Sequence, residues 1–301
     1  MMPLAPGHLR GSYPPLVTPF RDGEVDYDGY AALVEHQVVA GSHGIVVNGT
    51  TATPSTLTIE ERAELVRVAV KTASGRLPVV AATGSQSHAE TVWLTEQADA
   101  AGADALLIVT PYYVKPSQRG LVEYFADLGR RSDLPLLVYN IPGRTAVAVT
   151  PATLEEIAER TPTFVGLKHA VNDLGFVTDV LLRLGPELRI FVGLEELSFP
   201  MLCLGASGLM NAVGNLAPDR VAELFAAVDR GDLHAGRAMH DQLFELNTSV
   251  FFDTNPVPIK WMMVRMGLLG SDEHRLPMVA ADEALQARLE PVLRRAGLIG
   301  A

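Results

Sequence analysis

Lys168 ends the apolar run Phe164-Val-Gly-Leu-Lys168. A lysine in that position is ordinarily turned out to solvent. Turned inward, its ammonium is expensive to bury unless it is paired, so it tends to shed its proton. The neutral amine that results adds to a carbonyl. Neighbouring residues favour the inward choice. Tyr139, at the end of another apolar run, is a phenol that can move protons on and off a carbinolamine, with Thr51 and Tyr113 as relay hydroxyls. Arg144, in Ile141-Pro-Gly-Arg144, has the planar fork that grips a carboxylate. Gly49-Thr-Thr51 follows a third run and offers backbone N–H groups and the hydroxyls of Thr50 and Thr51 to a second carboxylate. Taken singly, Tyr139 reads as a core aromatic and Arg144 as a surface residue in a turn. Taken together they predict a Schiff base between Lys168 and a 2-oxo acid, in a carbon–carbon lyase or aldolase.

Such residues, scattered over 120 positions, need a frame that gathers them. Eight short runs rich in Val, Ile and Leu occur at 13–18, 44–48, 78–83, 105–110, 135–140, 164–168, 189–193 and 208–211. Segments with helical periodicity separate them. The runs are nearly continuous in apolar residues, as in parallel strands buried on both faces. Eight strand–helix units predict a (β/α)8 TIM barrel over 1–217. From 218 the pattern changes: 220–228, 233–250, 258–267 and 281–296 read as helices with no strand between them, a C-terminal helical extension over 218–301 packed on the barrel. A doubly wound sheet competes, but no Gly-x-Gly-x-x-Gly follows the first strand. In a barrel the chemistry lies at the C-terminal strand ends. This selects Thr50, Thr51, Tyr112, Tyr113, Tyr139, Asn140, Arg144, Lys168, Glu195 and Glu196. His169, next to Lys168, is expected to face the outer helices.

The 301 residues carry 48% hydrophobic side chains and a net charge of −11, with no basic cluster. This argues against a nucleic-acid partner and against docking on anionic membranes. No segment has the composition of a signal peptide or a membrane-spanning helix, so a cytoplasmic location is expected. The single cysteine, Cys203, sits in Phe199-Pro-Met-Leu-Cys-Leu204 and reads as a small buried hydrophobe. The eight histidines show no metal-ligand spacing.

Five ordered motifs then match one family. Gly49-Thr-Thr51, Thr110-Pro-Tyr-Tyr113 with Pro116, Tyr139-Asn-Ile-Pro-Gly-Arg-Thr145, Gly166-Leu-Lys168 and Gly193 before acidic residues, with Asn255-Pro256 further on, resemble the dihydrodipicolinate synthase / N-acetylneuraminate lyase family over nearly the whole chain. The resemblance implies class I chemistry with no metal and no cofactor, in a homotetramer. It implies that Lys168 is the Schiff-base lysine and Tyr139 the general acid/base. Thr51 and Tyr113 would be its relay, Tyr113 reaching in from a neighbouring subunit. Thr50 and Thr51 would hold the carboxylate of pyruvate, Gly193 and the Met210 backbone would line the pocket, and Arg144 would bind the carboxylate of an aldehyde partner.

Departures bear on the second substrate. Where the family usually continues Gly-Glu after Gly-Thr-Thr, this chain has Ala52-Thr-Pro-Ser-Thr56, and His169 stands where an acidic residue is common. Ile59 and Arg62 occupy positions where some relatives that respond to lysine carry histidines; Glu90 is in place, and lysine inhibition is not expected. Two family reactions compete. A 2,4-dihydroxyhept-2-ene-1,7-dioate aldolase would release pyruvate and succinate semialdehyde. A 4-hydroxy-tetrahydrodipicolinate synthase would join pyruvate to aspartate semialdehyde. Both aldehydes carry a carboxylate for Arg144. Only the second carries an ammonium, so a loop that has lost its glutamate favours the aldolase. N-acetylneuraminate cleavage, sugar-acid dehydration and a non-catalytic binding protein fit the residues less well.

Overall fold

The computed structural model describes residues 2–5 and 7–300. Ten strands form in chain order: β1 Gly11–Ser12, β2 Phe20–Arg21, β3 Glu24–Val25, β4 Ile45–Val47, β5 Val79–Ala82, β6 Ala105–Val109, β7 Leu136–Asn140, β8 Phe164–His169, β9 Arg189–Val192 and β10 Gly208–Leu209. Eight of them make one sheet in the order β1-β10-β9-β8-β7-β6-β5-β4, with every pairing parallel. The ends of the sheet meet: Leu16 N–H donates to Val46 O at 3.0 Å and Val46 N–H to Pro14 O at 2.9 Å. The sheet thus curls into the (β/α)8 barrel that the run lengths predict.

The first expected strand needs correction. Regular pairing covers only Gly11 and Ser12, and residues 13–17 continue as an extended segment with a single bridge, Pro15 to Val46. Pro14 and Pro15 have no N–H to give, which breaks the ladder there. The hairpin of β2 and β3 also lies outside the predicted runs.

The helices are α1 Tyr27–Val39, α2 Ile59–Ala73, α3 His88–Ala101, α4 Gln118–Gly129, α5 Pro142–Thr145, α6 Pro151–Arg160, α7 Leu174–Leu184, α8 Ser198–Cys203, α9 Pro218–Asp229, α10 Leu233–Ser249, α11 Val257–Arg265 and α12 Glu283–Arg295. Local chemistry sets their starts. Thr58 and Glu61 form a reciprocal capping box on α2, and Ser87, Ser117, Thr150 and Asp173 cap α3, α4, α6 and α7. α9 packs against β1 and β10. Among the described residues no helix is long and apolar enough to cross a membrane. Cys203 departs from expectation: as the last residue of α8 it is exposed.

Strand alternation divides the core in two. Val46, Val80, Leu107, Leu137, Tyr139, Phe191 and Met210 fill the barrel. Ile45, Val79, Leu106, Val138, Leu167 and Val192 pack outward against the helices. β8 interrupts the alternation once. Leu136 pairs with Phe164, but Leu137 pairs with Gly166, so Val165 is an extra residue in β8. This β-bulge resets which face each later residue of β8 presents. Gly166 lies tight against β9, where a Cβ would stand 1.9 Å from Arg189 O, so no other residue fits.

The C-terminal region is tied to the barrel mouth. Lys260 of α11 is buried and donates to Thr18 O at 3.1 Å and to Glu273 O, over the face of Phe20. Arg275 grips Glu61 with two bonds, at 2.7 and 2.8 Å, and also donates to Gly23 O and Thr56 O.

Candidate active site

The C-terminal strand ends open into a cleft with two continuous parts. The inner part, about 280 Å³, is lined by Lys168, Tyr139, Thr50, Thr51, Gly193, Met210 and Glu195. The outer part, about 690 Å³, reaches toward Arg62, Glu90 and Tyr112. Thr50, Tyr139, Ile141, Arg144 and Asn255 line both.

Lys168 is 3% exposed. Tyr139 and Lys168 are paired neighbours in β7 and β8, and Lys168 Nζ lies 4.5 Å from the centre of the Tyr139 ring. His169 faces the opposite way: it stacks on Phe176 of α7 at 4.3 Å and meets Asn140 Nδ2 through Nδ1 at 3.3 Å. Burial pushes its imidazole down to about 4, which keeps it neutral.

The two threonines divide their work differently from expectation. Gly49 turns the chain into the 3₁₀ turn Thr50–Ala52. Thr50 Oγ1, not that of Thr51, approaches Tyr139 Oη, at 3.3 Å. Thr51 is buried, and its Oγ1 accepts from Asn255 Nδ2 at 3.0 Å. The turn's first internal bond runs from Ala52 N to Gly49 O, so the Thr50 and Thr51 N–H groups are left outside it. Beyond the turn, Thr53 takes a left-handed conformation, and the Thr56 hydroxyl closes the loop onto Thr53 O at 2.9 Å.

Arg144 sits in the short α5, whose Pro142 start places it at the cleft mouth, exposed and lining both parts. Gly193 follows β9. A Cβ there would stand 3.0 Å from Lys168 Cε and 2.9 Å from Ala170 Cβ, so the missing side chain leaves the space that Lys168 occupies. Met210 is buried after β10, its N–H bound to Val192 O at 2.9 Å. Tyr113 is not brought into this cleft: it is 86% exposed, with φ of +69°, while Tyr112 lines the outer part.

Two residues were not given roles by sequence reasoning. Asn255 comes from the far side of the chain, between α10 and α11; its Oδ1 is buried without a partner among the described residues. Only its place in the Asn255-Pro256 motif marks it. Glu195 is buried while Glu196 beside it is exposed. Glu195 Oε1 accepts from Ala212 N–H at 2.5 Å. Burial pushes its carboxyl up to about 7, against the pull of its backbone donors and of the Lys168 charge. Among the described residues no group of three or more His, Cys, Asp and Glu is placed to hold a metal ion.

The model of the dihydrodipicolinate synthetase family matches residues 8–296. A 4-hydroxy-tetrahydrodipicolinate synthase of Thermus thermophilus is 43% identical over 292 residues, 97% of each chain. Among solved structures, a dihydrodipicolinate synthase from Aquifex aeolicus superposes with a TM-score of 0.94 at 37% identity, covering 96% of this chain and 98% of that one. The chloride-inhibited enzyme from Acinetobacter baumannii, complexed with pyruvate, superposes with a TM-score of 0.93 at 34% identity, covering 97% of this chain and 100% of the other.

Proposed function

The chain belongs to the dihydrodipicolinate synthetase family, and from that premise we propose that it joins pyruvate to aspartate semialdehyde, as a 4-hydroxy-tetrahydrodipicolinate synthase. The coarser reading, a pyruvate-dependent lyase of the aldolase type, comes with the family. A buried Lys168 against Tyr139, in a cavity whose mouth holds Arg144, supports the chemistry that both family reactions share. The finer reading is carried by Asn255 Oδ1, unpaired in that cavity among the described residues and suited to an amine that only aspartate semialdehyde has.

Lys168 Nζ adds to the ketone carbon of pyruvate, and the carbinolamine loses water to give an iminium. The Thr50 and Thr51 N–H groups receive the pyruvate carboxylate. A proton leaves the methyl carbon, and the enamine attacks the aldehyde. Tyr139 Oη, in reach of Thr50 Oγ1, moves protons at these steps. Arg144 receives the carboxylate of the aldehyde. The aldehyde's own amino group then attacks the former ketone carbon, closing a ring and freeing Lys168. Asn255 Oδ1 is an unpaired acceptor in the same cavity and suits an ammonium or amine.

The names of the relatives weigh toward the synthase and against the dioate aldolase that loop 52–56 favours. The aldolase stays as a second reading because that loop has no acidic side chain. The wet loop-tip position of Tyr113, next to an exposed Val114, supports an oligomer in which a second subunit covers both. The test gives purified enzyme pyruvate with each semialdehyde, after borohydride trapping has located the pyruvate adduct. Higher kcat/KM with aspartate semialdehyde supports the synthase. Higher kcat/KM with succinate semialdehyde rejects it, and no adduct on Lys168 rejects both readings.

A further inference from the structure

Glu195 is a carboxyl that the reaction above does not use. It lies in the 3₁₀ turn Glu195–Leu197 after β9, 1% exposed, and lines the same inner cavity as Lys168. Oε1 is held by Ala212 N–H, and Ser198 Oγ donates to the Glu195 carbonyl, so the turn cannot easily swing away. Oε2 is buried with no partner among the described residues. An ionised carboxylate with one oxygen unpaired is costly to keep in such a place, and a neutral one leaves its proton without an acceptor. A positive charge appearing nearby favours the ionised form.

Resting on the Schiff-base reading, we propose that Glu195 is the counter-charge of the iminium formed on Lys168, and that it gives up its proton as that charge appears. The step balances. The Lys168 amine forms a bond from nitrogen to the ketone carbon, and the carbon–oxygen bond breaks. The oxygen leaves as water with one proton from Nζ and one supplied by Glu195, leaving an iminium cation and a carboxylate anion. The condensation itself therefore adds no net charge to the cavity beyond the carboxylate that pyruvate brings. The substrate carboxylate is occupied at the Thr50–Thr51 turn, so it does not serve this purpose. Glu195 thus acts on the leaving oxygen as proton donor and afterwards faces the iminium as its counter-charge.

The groups that face Glu195 are few. Lys168 of β8, Tyr139 of β7 and Arg144 of α5 line the cavity with it. Glu196 is turned to solvent. On α10, which packs against its turn, His240 lies beside Phe199, and Glu245 is paired with Arg295 at the surface. Burial holds the Glu195 carboxyl near 7, where it is protonated on the acid side of neutrality and available to lose that proton.

The test counts protons. Pyruvate is titrated into wild type, E195Q and E195D in buffers of different ionisation enthalpy. Below the titration of Glu195, wild type takes up about one proton fewer than E195Q on forming the adduct, because Glu195 supplies the proton that E195Q must draw from solvent, and the difference vanishes well above it. E195D behaves as wild type. An infrared difference spectrum of the wild-type enzyme with pyruvate, taken at the acid end, loses the carbonyl stretch of one protonated carboxyl; this measurement needs no variant to fold. Equal proton counts in wild type and E195Q, or a spectrum with no such loss, overturn the proposal. A merely structural role weakens the adduct in E195Q at every pH without changing the count, which also overturns it. Borohydride trapping of the wild-type enzyme separates the two levels: no adduct on Lys168 removes the Schiff-base reading itself, whereas an adduct formed with the same proton count as in E195Q removes only the role of Glu195.

Discussion

Gly193→Ala is a small change with a readable consequence. The added Cβ would stand 3.0 Å from Lys168 Cε, 2.9 Å from Ala170 Cβ and 3.2 Å from His169 O. Carbon atoms settle at about 3.5–4.0 Å, so the deficit is roughly 0.5–1 Å on each side. Ala170 and the His169 carbonyl belong to the backbone course of β8 and its exit. The Lys168 side chain is the part that can give. It moves by an amount of the same order, and a displacement of about 1 Å at a reacting atom costs on the order of 10²-fold in rate. Overpacking costs about 1–3 kcal/mol in stability. The backbone at Gly193 is not in the left-handed region, so conformational strain does not add to this. The assay follows borohydride trapping of pyruvate on Lys168 together with the melting temperature. The expected result is slower trapping by one to two orders of magnitude in a protein that still folds. Wild-type trapping kinetics in G193A would refute the reasoning, because the space left by that glycine would then not be what places the lysine.

Three further outcomes follow from the same structure. Arg144→Ala should leave pyruvate trapping intact while kcat/KM for a carboxylate-bearing aldehyde falls about 10- to 100-fold, the worth of a charged hydrogen bond of roughly 1.5–3 kcal/mol; equal loss of both activities would place the arginine elsewhere in the reaction. His169 and His274 are each held down to about 4 by burial. Unfolded histidines take up protons below about 6.5. Stability is therefore full above about 6.5 and declines as pH falls toward about 4, because the unfolded chain binds protons that the folded one does not. Urea midpoints measured across that range should fall in wild type and fall less steeply in H169Q. The Arg275 guanidinium holds the Glu61 carboxyl below its ordinary value. Its stabilisation is present above the unfolded carboxylate value and is lost as pH drops through the folded one, so R275A should lower the melting temperature at neutral pH and have a smaller effect in strong acid.

Much of this site was legible in the sequence because its parts are strand ends. Lys168, Tyr139 and Arg144 lie where the apolar runs stop, and run spacing alone puts them at one end of a barrel. The allocation between Thr50 and Thr51 was not legible. Neighbouring residues in a 3₁₀ turn point in directions about 120° apart, and which one meets Tyr139 depends on the turn's start at Gly49. Asn255 was recognisable as part of a motif, but its bond to Thr51 spans 204 residues and no local pattern encodes it. The first strand was displaced because Pro14 and Pro15 look apolar while lacking the N–H groups that pairing uses. Cys203 was misplaced because an apolar run in a short helix has an outer side as well as an inner one.

The extra residue in β8 bears on Lys168 in a way that the strand's composition conceals. Phe164 packs outward, so strict alternation would send Gly166 and Lys168 outward too, and bring Leu167 and His169 into the barrel. Val165 absorbs one step, and the count restarts at Gly166. The identity of the side chain offered to the cavity, an amine or an imidazole, is thus decided three residues upstream of Lys168, by parity. A β8 of the same length that paired regularly through Val165, without the bulge, would keep every motif that identifies this family and present its histidine to the substrate instead.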